Sequence, residues 1–320
     1  MRPLSPAFRA YAWAPSTEEL ARRAAIAPEQ VLRFDGNVPP RPPPSVSAAV
    51  LADALARVNG YPHGGYPRIV PAIAEYAGVD PENVVLGAGA DDLILLCART
   101  FAGPGDVVAV ADEPTYPMLR LAAWLAGADV GDNAPALTFA CRPHNPTGAL
   151  VELPAARPLA VDEAYFEYAG ESALNLLEDD VVVIRTFSKA FGLAGARVGY
   201  ALAAPDVAEE LRIRQAPLPV STLSVALALA ALAAPPDVQP VLDERERVAE
   251  RLRGFGLDPL PSHANFLFVP LAGAPAVAEA LVVRGLVVRA FDDGVRITVR
   301  DEADDDRLLT ALAEVIGSGP

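Results

Sequence analysis

The residues best suited to chemistry lie around Lys189, a few positions after an apolar run, residues 181–184, that predicts a buried strand. Open α/β sheets bind their ligands beyond the carboxyl ends of such strands. Thr186, Ser188 and Arg197 flank this lysine, and hydroxyl and guanidinium groups are typical phosphate ligands. The amine itself can pair with a phosphate or condense with a carbonyl. A surface lysine in a loop is the alternative, and the grouping of these residue types argues against it.

Asp162 follows a second apolar run, residues 159–161, which also predicts a buried strand. Its carboxylate is therefore expected to point into the crevice beyond the strand ends. In an empty crevice this carboxylate would be a costly isolated charge. Asp162 thus becomes a candidate partner for a cationic group of a ligand.

A glycine turn separates the short predicted strand 84–86 from the predicted helix 93–101. Strand, glycine turn and helix together form an anion site, because free backbone N–H groups and the positive helix end face the ligand. A dinucleotide-binding turn is the alternative. It needs a third glycine three residues after Gly89, and the sequence has Asp92 there, which excludes it.

The elements that position these residues form two patterns. Along the first two thirds of the chain, short apolar runs alternate with helical segments, which is typical of an α/β fold with a parallel sheet. After about residue 220 the predicted order is strand, helix, strand, strand, helix, which indicates a compact α+β unit. We therefore predict a domain change near residue 220, between a large domain (41–220) and a small C-terminal domain (221–320).

Composition excludes several classes of function. The 320 residues carry a net charge of -15, which argues against a nucleic-acid or anionic-membrane partner. The N-terminus lacks the apolar core of a signal peptide, and the longest apolar helix candidate, 225–234, is too short to span a bilayer. Only Cys97 and Cys141 are cysteines, so we expect a reducing cytoplasm. The three histidines lack ligand spacing, and no metal site is expected.

The segment RTFSKAFGLAGAR, residues 185–197, closely resembles the lysine segment of fold-type-I pyridoxal-phosphate (PLP) aminotransferases. Within that group it is similar to the histidinol-phosphate aminotransferase family, and the resemblance extends from about residue 13 to residue 312. It implies a large domain with a mostly parallel central sheet flanked by helices, and a small α+β C-terminal domain. It also implies PLP as the cofactor and an N-terminal arm (1–40) that packs near the active site.

The resemblance gives roles to residues around the cofactor ring. Lys189 would hold PLP covalently and, once displaced by a substrate amine, would move a proton between Cα and C4′. Asp162 would pair with the protonated ring nitrogen and keep the ring an electron sink. Tyr165 and Asn145 would bond the ring oxygen, and Tyr116 would stack on the ring face. Without the resemblance, core packing would explain Tyr116 as well.

The resemblance also implies a site for the cofactor phosphate. Its donors from one chain are Thr186, Ser188, Arg197 and the backbone at Ala90 and Asp91. A further donor, Tyr61, would come from a partner subunit, which implies a homodimer. A tyrosine in a turn is more often a packing residue, so the role of Tyr61 depends on the resemblance.

Three residues are expected to contact the substrate. Arg296 resembles the arginine that binds the substrate α-carboxylate, or the equivalent group of a phosphorylated substrate. Its planar guanidinium can donate two parallel hydrogen bonds to such an anion. Arg289 matches an arginine that helps to hold the substrate phosphate, and Asn37 matches an asparagine near the substrate. A surface ion pair is the alternative for both arginines. The sequence departs from residues usual in the family at Pro39, Arg142 and His144.

The expected reaction is transamination of histidinol phosphate with 2-oxoglutarate, giving imidazole-acetol phosphate and glutamate in histidine biosynthesis. Other small-molecule amines and keto acids stay open as alternatives. Aromatic amino-acid transamination would need no phosphate site, whereas a decarboxylase similar to threonine-phosphate decarboxylase would hold the Cα–carboxylate bond perpendicular to the ring. A non-catalytic binding protein would be favoured if Lys189 or Asp162 were replaced, and neither is.

Overall fold

The computed structural model describes residues 5, 7–62 and 64–317, and the chain forms two compact units. Unit 1 consists of the residues up to Tyr11, Arg41–Asn145 and Val151–Pro236. Unit 2 consists of Ala12–Pro40, Pro146–Leu150 and the residues from Asp237 onward. No helix within the described part of the chain is long and apolar enough to cross a membrane.

Helices and strands alternate along much of the chain. The described helices are α1 (Thr17–Ala24), α2 (Ala48–Leu55), α3 (Ile69–Ala77), α4 (Ala90–Phe101), α5 (Pro117–Ala126), α6 (Phe166–Ala169), α7 (Pro205–Arg214), α8 (Thr222–Leu232), α9 (Gln239–Gly254), α10 (Ala274–Val282) and α11 (Glu302–Gly317). The strands are β1 (Leu32–Arg33), β2 (Val84–Gly87), β3 (Val107–Val110), β4 (Asp129–Val130), β5 (Leu137–Cys141), β6 (Leu159–Asp162), β7 (Val181–Thr186), β8 (Gly199–Leu202), β9 (Phe266–Pro270), β10 (Leu286–Val287), β11 (Arg289–Ala290) and β12 (Gly294–Thr298).

Unit 1 is built on a seven-stranded sheet with the order β2-β8-β7-β6-β5-β3-β4. Strands β3 to β7 pair in parallel, and only β8 runs antiparallel to its two neighbours, β2 and β7. The predicted α/β architecture with a mostly parallel central sheet is confirmed. The parallel strands all end at one edge, which is where such sheets bind ligands.

Helices cover both faces of this sheet, because its central strands are apolar on both sides. Along β7, Val182 and Ile184 enter a core that includes residues of α4, α5 and α7. Val181 and Val183, which point to the other face, join a core with residues of α3 and α8. Burial on both faces is the reason that these strands are continuous apolar runs.

Helix α8 belongs to unit 1 because it packs against α2 and α3, and its Ala228 and Ala231 are buried in the core that contains Ile69 and Ile73 of α3. The unit therefore extends to Pro236, whereas the sequence analysis placed the domain change near residue 220, before this helix. The three-stranded sheet of unit 2 lies wholly beyond this helix in the sequence.

Unit 2 combines a three-stranded antiparallel sheet, in the order β11-β12-β9, with the parallel pair β1-β10. Its core includes Val295 and Ile297 from β12 and Leu308 and Leu312 from α11. Strand β1 brings residues 32–33 into this unit, since it pairs with β10. A two-residue strand has too little alternation to be recognised in a sequence.

Candidate active site

Asp162 and Thr186 lie at the carboxyl ends of the neighbouring strands β6 and β7. Asp162 is 3% exposed, and its Oδ1 accepts a hydrogen bond from the N–H of Ala164 at 3.1 Å. Burial raises the pKa of this carboxyl to about 7, against the lowering effects of that hydrogen bond and of Lys189. The strand ends therefore carry a buried carboxyl that favours a cationic partner.

Lys189 lies in the turn after β7, and its Nζ is 5.7 Å from the centre of the Tyr165 ring. Its charge lowers the pKa of Asp162, so the amine and the carboxyl are close enough to interact. Among the 26 Lys and Arg residues of the sequence it is the only lysine. A lysine amine can lose its proton and form a covalent bond, which a guanidinium cannot do.

Thr186, Ser188 and Arg197 lie together beside this lysine. The N–H of Ser188 donates to Thr186 Oγ1 at 3.1 Å, and the two hydroxyl oxygens are 2.9 Å apart. Arg197 Nη1 lies 3.5 Å from Ser188 Oγ and 3.3 Å from the carbonyl oxygen of Ala194. The structure therefore groups the three side chains that the sequence analysis assigned to a phosphate.

The N-terminus of α4 faces this cluster across two glycines. A Cβ at Gly89 would lie 2.7 Å from Arg197 Nη2, and one at Gly199 would lie 2.8 Å from the carbonyl carbon of Gly89 and 2.9 Å from the nitrogen of Ala90. Gly89 also has a φ of +87°, which lets the chain turn directly into a helix that begins at Ala90. The helix predicted at 93–101 was therefore placed three residues too late.

Asp91, the second residue of α4, joins the helix to two predicted ligands. Its Oδ1 accepts a hydrogen bond from the Tyr116 hydroxyl at 2.8 Å, and its Oδ2 accepts one from Arg197 Nη2 at 3.1 Å. Burial and the neighbouring Asp91 carboxylate raise the pKa of the Tyr116 phenol, which therefore stays protonated as a donor. The sequence analysis considered only the backbone of Asp91.

Asn145 is buried in the structure, whereas Tyr61 is exposed to solvent. Asn145 follows β5 and is 9% exposed. The adjacent His144 has its Nε2 2.9 Å from the carbonyl oxygen of Asp112, and burial lowers the pKa of its imidazole. Tyr61 lies beyond α2 and is 73% exposed in the single chain.

Arg289 and Arg296 belong to unit 2, where they are directly opposite each other on β11 and β12. Opposed residues of an antiparallel pair project from the same face, and like charges in that position repel. Arg296 is 8% exposed and donates from Nη2 to the carbonyl oxygen of Asp35 at 2.7 Å, whereas Arg289 is exposed. A bound anion would offset the repulsion between the two guanidinium groups.

Asn37 is 1% exposed and is tied to the structure of unit 2. Its N–H donates to Thr298 Oγ1 at 2.9 Å, and its Oδ1 lies 3.0 Å from the same hydroxyl. Its φ of +52° is one that asparagine tolerates better than most residues. These contacts hold the chain at β1 against the end of β12.

A buried ion pair between Arg185 and Glu163 lies next to the strand ends. Arg185 and Glu163 are each 1% exposed, with Nη2 and Oε2 3.0 Å apart. Glu163 also accepts from the Ser172 hydroxyl and from the N–H of Ala173, at 2.6 Å for the latter. Arg185 Cζ lies 3.4 Å from the centre of the Phe166 ring. The pair joins the segment after Asp162 to the strand before Lys189.

Comparison with known proteins identifies relatives along the whole chain. The model of the family described as aminotransferase class I and II matches residues 29–134 and 131–312. The chain is 36% identical to a histidinol-phosphate aminotransferase of Roseiflexus castenholzii over 98% of both proteins. It is 37% identical to an aromatic amino acid aminotransferase of Rhodococcus jostii over 84% of this chain and 85% of that protein.

Among solved structures, the chain resembles histidinol-phosphate aminotransferase from Sinorhizobium meliloti in complex with pyridoxal-5'-phosphate. The TM-score is 0.83 at 26% identity, over 99% of this chain and 98% of that chain. The likeness therefore includes both compact units.

Proposed function

We propose that histidinol phosphate is the amino donor and 2-oxoglutarate the acceptor of this chain, which belongs to the class I and II aminotransferase family and is a PLP-dependent aminotransferase. The observation that carries the chemistry is the position of the only lysine, Lys189, close to the buried carboxyl of Asp162 at the strand ends. The substrate is supported by the names of the relatives and by the opposed arginines Arg289 and Arg296, which suit a phosphate.

The residues present fit PLP. Gly89 and Gly199 keep the start of α4 free of side chains, so the backbone N–H groups at Ala90 and Asp91 suit a phosphate. The cluster of Thr186, Ser188 and Arg197 supplies further donors beside them. At the other end, the buried carboxyl of Asp162 suits a protonated pyridine nitrogen.

When bound, PLP supplies an aldehyde that takes up the amino group and a ring that delocalises the electrons of the substrate Cα. Lys189 Nζ would hold the cofactor and, as the free amine once a substrate amine has taken its place, would move a proton between the substrate Cα and the cofactor carbon C4′. Asp162 would keep a proton on the ring nitrogen. That cation would lower the pKa of Asp162 from its raised value, because it supplies the opposite charge that the buried carboxylate needs.

The other assigned residues orient the ring and the substrate. Tyr165 and Asn145 are proposed to bond the ring oxygen, and Tyr116 to stack on the ring face. Arg296 and Arg289 are proposed to hold the anionic groups of the substrates. Asn37, which is bonded to Thr298 two residues after Arg296, is proposed to lie near the substrate. The two free cysteines, Cys97 and Cys141, are buried, which supports a cytoplasmic enzyme.

We assign a homodimer as the active form, with Tyr61 contributed to the phosphate site of the partner. Four apolar or aromatic side chains on and just after α2 are exposed, from 40% to 73%: Leu51, Leu55, Val58 and Tyr61. Exposed apolar groups of this kind favour a protein partner. Leu55→Glu should shift the mass measured by light scattering from dimer to monomer. Ile213→Glu, at an equally exposed position on α7, should leave the dimer intact.

The substrate assignment is tested by an amino-transfer assay with 2-oxoglutarate as acceptor. Glutamate should form with histidinol phosphate at a kcat/KM at least tenfold above that with phenylalanine. Arg289→Gln should raise the KM for histidinol phosphate and leave that for phenylalanine unchanged, because only the former has a phosphate. A preference for phenylalanine in the unmodified enzyme would contradict the proposal.

Aromatic amino-acid transamination is the second candidate. It is supported by the 37% identity to the aromatic amino acid aminotransferase of Rhodococcus jostii, which is similar to the identity with the histidinol-phosphate enzyme. The same assay separates the two, since both donors use the same acceptor and the same cofactor.

A further inference from the structure

Asp91 lies between two side chains that the proposed function gives to the cofactor, and its carboxylate holds both. One oxygen accepts from the Tyr116 hydroxyl at 2.8 Å, and the other accepts from Arg197 Nη2 at 3.1 Å. We propose that the Asp91 carboxylate is a positioning residue, which sets the ring of Tyr116 and the guanidinium of Arg197 in place before PLP binds. This inference rests on the proposed function of both partners.

A structural role in the helix does not account for Asp91. An acidic side chain in the first turn favours a helix in general, through its dipole. In α4, however, it is the next residue, Asp92, that bonds the backbone, since its Oδ2 accepts from the N–H of Ala88 at 3.0 Å. The hydrogen bonds of the Asp91 carboxylate described here go to side chains of the site, from the end of a helix that begins at the phosphate cluster.

Arg197 depends on this carboxylate for its orientation. Its other described hydrogen bonds are long, at 3.3 Å to the carbonyl oxygen of Ala194 and 3.5 Å to Ser188 Oγ. Gly89 leaves room for the guanidinium against the start of α4 but supplies no group that holds it there. The ion pair with Asp91 is therefore the shortest polar contact that fixes the guanidinium among those described.

The negative charge of Asp91 also has an effect on PLP affinity that is opposite to that of positioning. A carboxylate beside a phosphate site repels the phosphate, so its removal would tighten binding if repulsion dominated. If positioning dominates, its removal weakens binding, because Tyr116 and Arg197 must then be ordered when the cofactor arrives. The direction of the change in PLP affinity therefore distinguishes the two effects.

The test is a titration of the cofactor-free enzyme with PLP and with pyridoxal, which lacks the phosphate, followed by fluorescence quenching. Asp91→Ala should raise the Kd for PLP at least tenfold, or about 1.4 kcal/mol. The same variant should raise the Kd for pyridoxal by a smaller factor. Pyridoxal has no phosphate for Arg197 to bind, so only the change in the position of Tyr116 affects its binding. The matched control is Asp206→Ala, since Asp206 is the second residue of α7, and its Kd should stay within twofold.

Two further variants separate the effect of Asp91 on Arg197 from its effect on Tyr116. Asp91→Asn keeps the shape of the side chain and an acceptor for Tyr116, so it should lose affinity for PLP and little for pyridoxal, even if the alanine variant folds poorly. In a Tyr116→Phe background, Asp91→Ala should no longer affect the Kd for pyridoxal. An unchanged or lower Kd for PLP in both Asp91 variants would overturn the inference. Failure of the unmodified enzyme to bind PLP would instead overturn the proposed function.

Discussion

The buried ion pair of Arg185 and Glu163, next to the strand ends of the active site, should make a large contribution to the free energy of unfolding. Both side chains are 1% exposed, so neither charge can be solvated if the other is removed. Glu163 also accepts hydrogen bonds from the Ser172 hydroxyl and the N–H of Ala173. Glu163→Ala therefore leaves a buried guanidinium without its partner and two donors without their acceptor.

The expected loss follows from that burial. Removal of one partner of a buried pair costs about 3–5 kcal/mol, much of it from the charge left behind. Glu167 is buried nearby with a pKa raised to about 7, and it is expected to ionise toward Arg185 in the variant, which places the loss near 3 kcal/mol. Glu163→Gln keeps the shape and should cost less, about 2 kcal/mol, as expected for a hydrogen bond to a charged group.

The assay is urea unfolding of the two variants and of a double-mutant cycle with Arg185→Met, followed by circular dichroism. The double variant should be more stable than the sum of the single losses predicts, because it leaves no unpaired charge. The matched control is Glu210→Ala in the exposed pair Glu210–Arg214, which should change stability by less than about 0.5 kcal/mol. A loss under about 1 kcal/mol for Glu163→Ala, or additive losses in the cycle, would refute this reasoning.

Two further perturbations have predictable results. Gly199→Ala should cost about 1–3 kcal/mol by overpacking. It should also raise the Kd for PLP, because its Cβ would displace the start of α4; an unchanged Kd, measured by titration, would contradict this. In unit 2, burial raises the pKa of Asp305, next to Glu244, to about 8. The folded protein then holds a proton that the unfolded chain releases near pH 4, so this contribution to stability falls as the pH rises from about 4 to about 8. Asp305→Asn should flatten the fall of Tm over that range, and a slope equal to that of the unmodified protein would show that another group is responsible.

Much of the fold could be predicted because it depends on local pattern. Strands β6 and β7 are continuous apolar runs, and their ends coincide with Asp162 and with the segment before Lys189. A reader of the sequence can therefore place both residues at one edge of a sheet. The antiparallel direction of β8 has no such local signal, since its apolar run would suit either direction.

The parts of the site that escaped prediction depend on contacts between distant residues. The hydrogen bond from Arg197 to Asp91 joins residues 106 positions apart, and the bond from Arg185 to Glu163 joins residues 22 apart on different elements. Gly199 has its role only because β8 lies beside the start of α4. No motif in the sequence indicates these pairings, since each is created by the order of strands in the sheet.

The assignment of Lys189 as the residue that carries the cofactor can be measured directly. The enzyme is loaded with PLP and reduced with borohydride, and its peptides are analysed by mass spectrometry. Because the sequence has one lysine, a single pyridoxyl group is expected on the peptide that contains Lys189, and none in Lys189→Arg, which keeps the charge but not the nucleophile. Incubation with histidinol phosphate before reduction should abolish the label. A label found only at the N-terminal amine, or none at all, would contradict the assignment of Lys189 and the mechanism that depends on it.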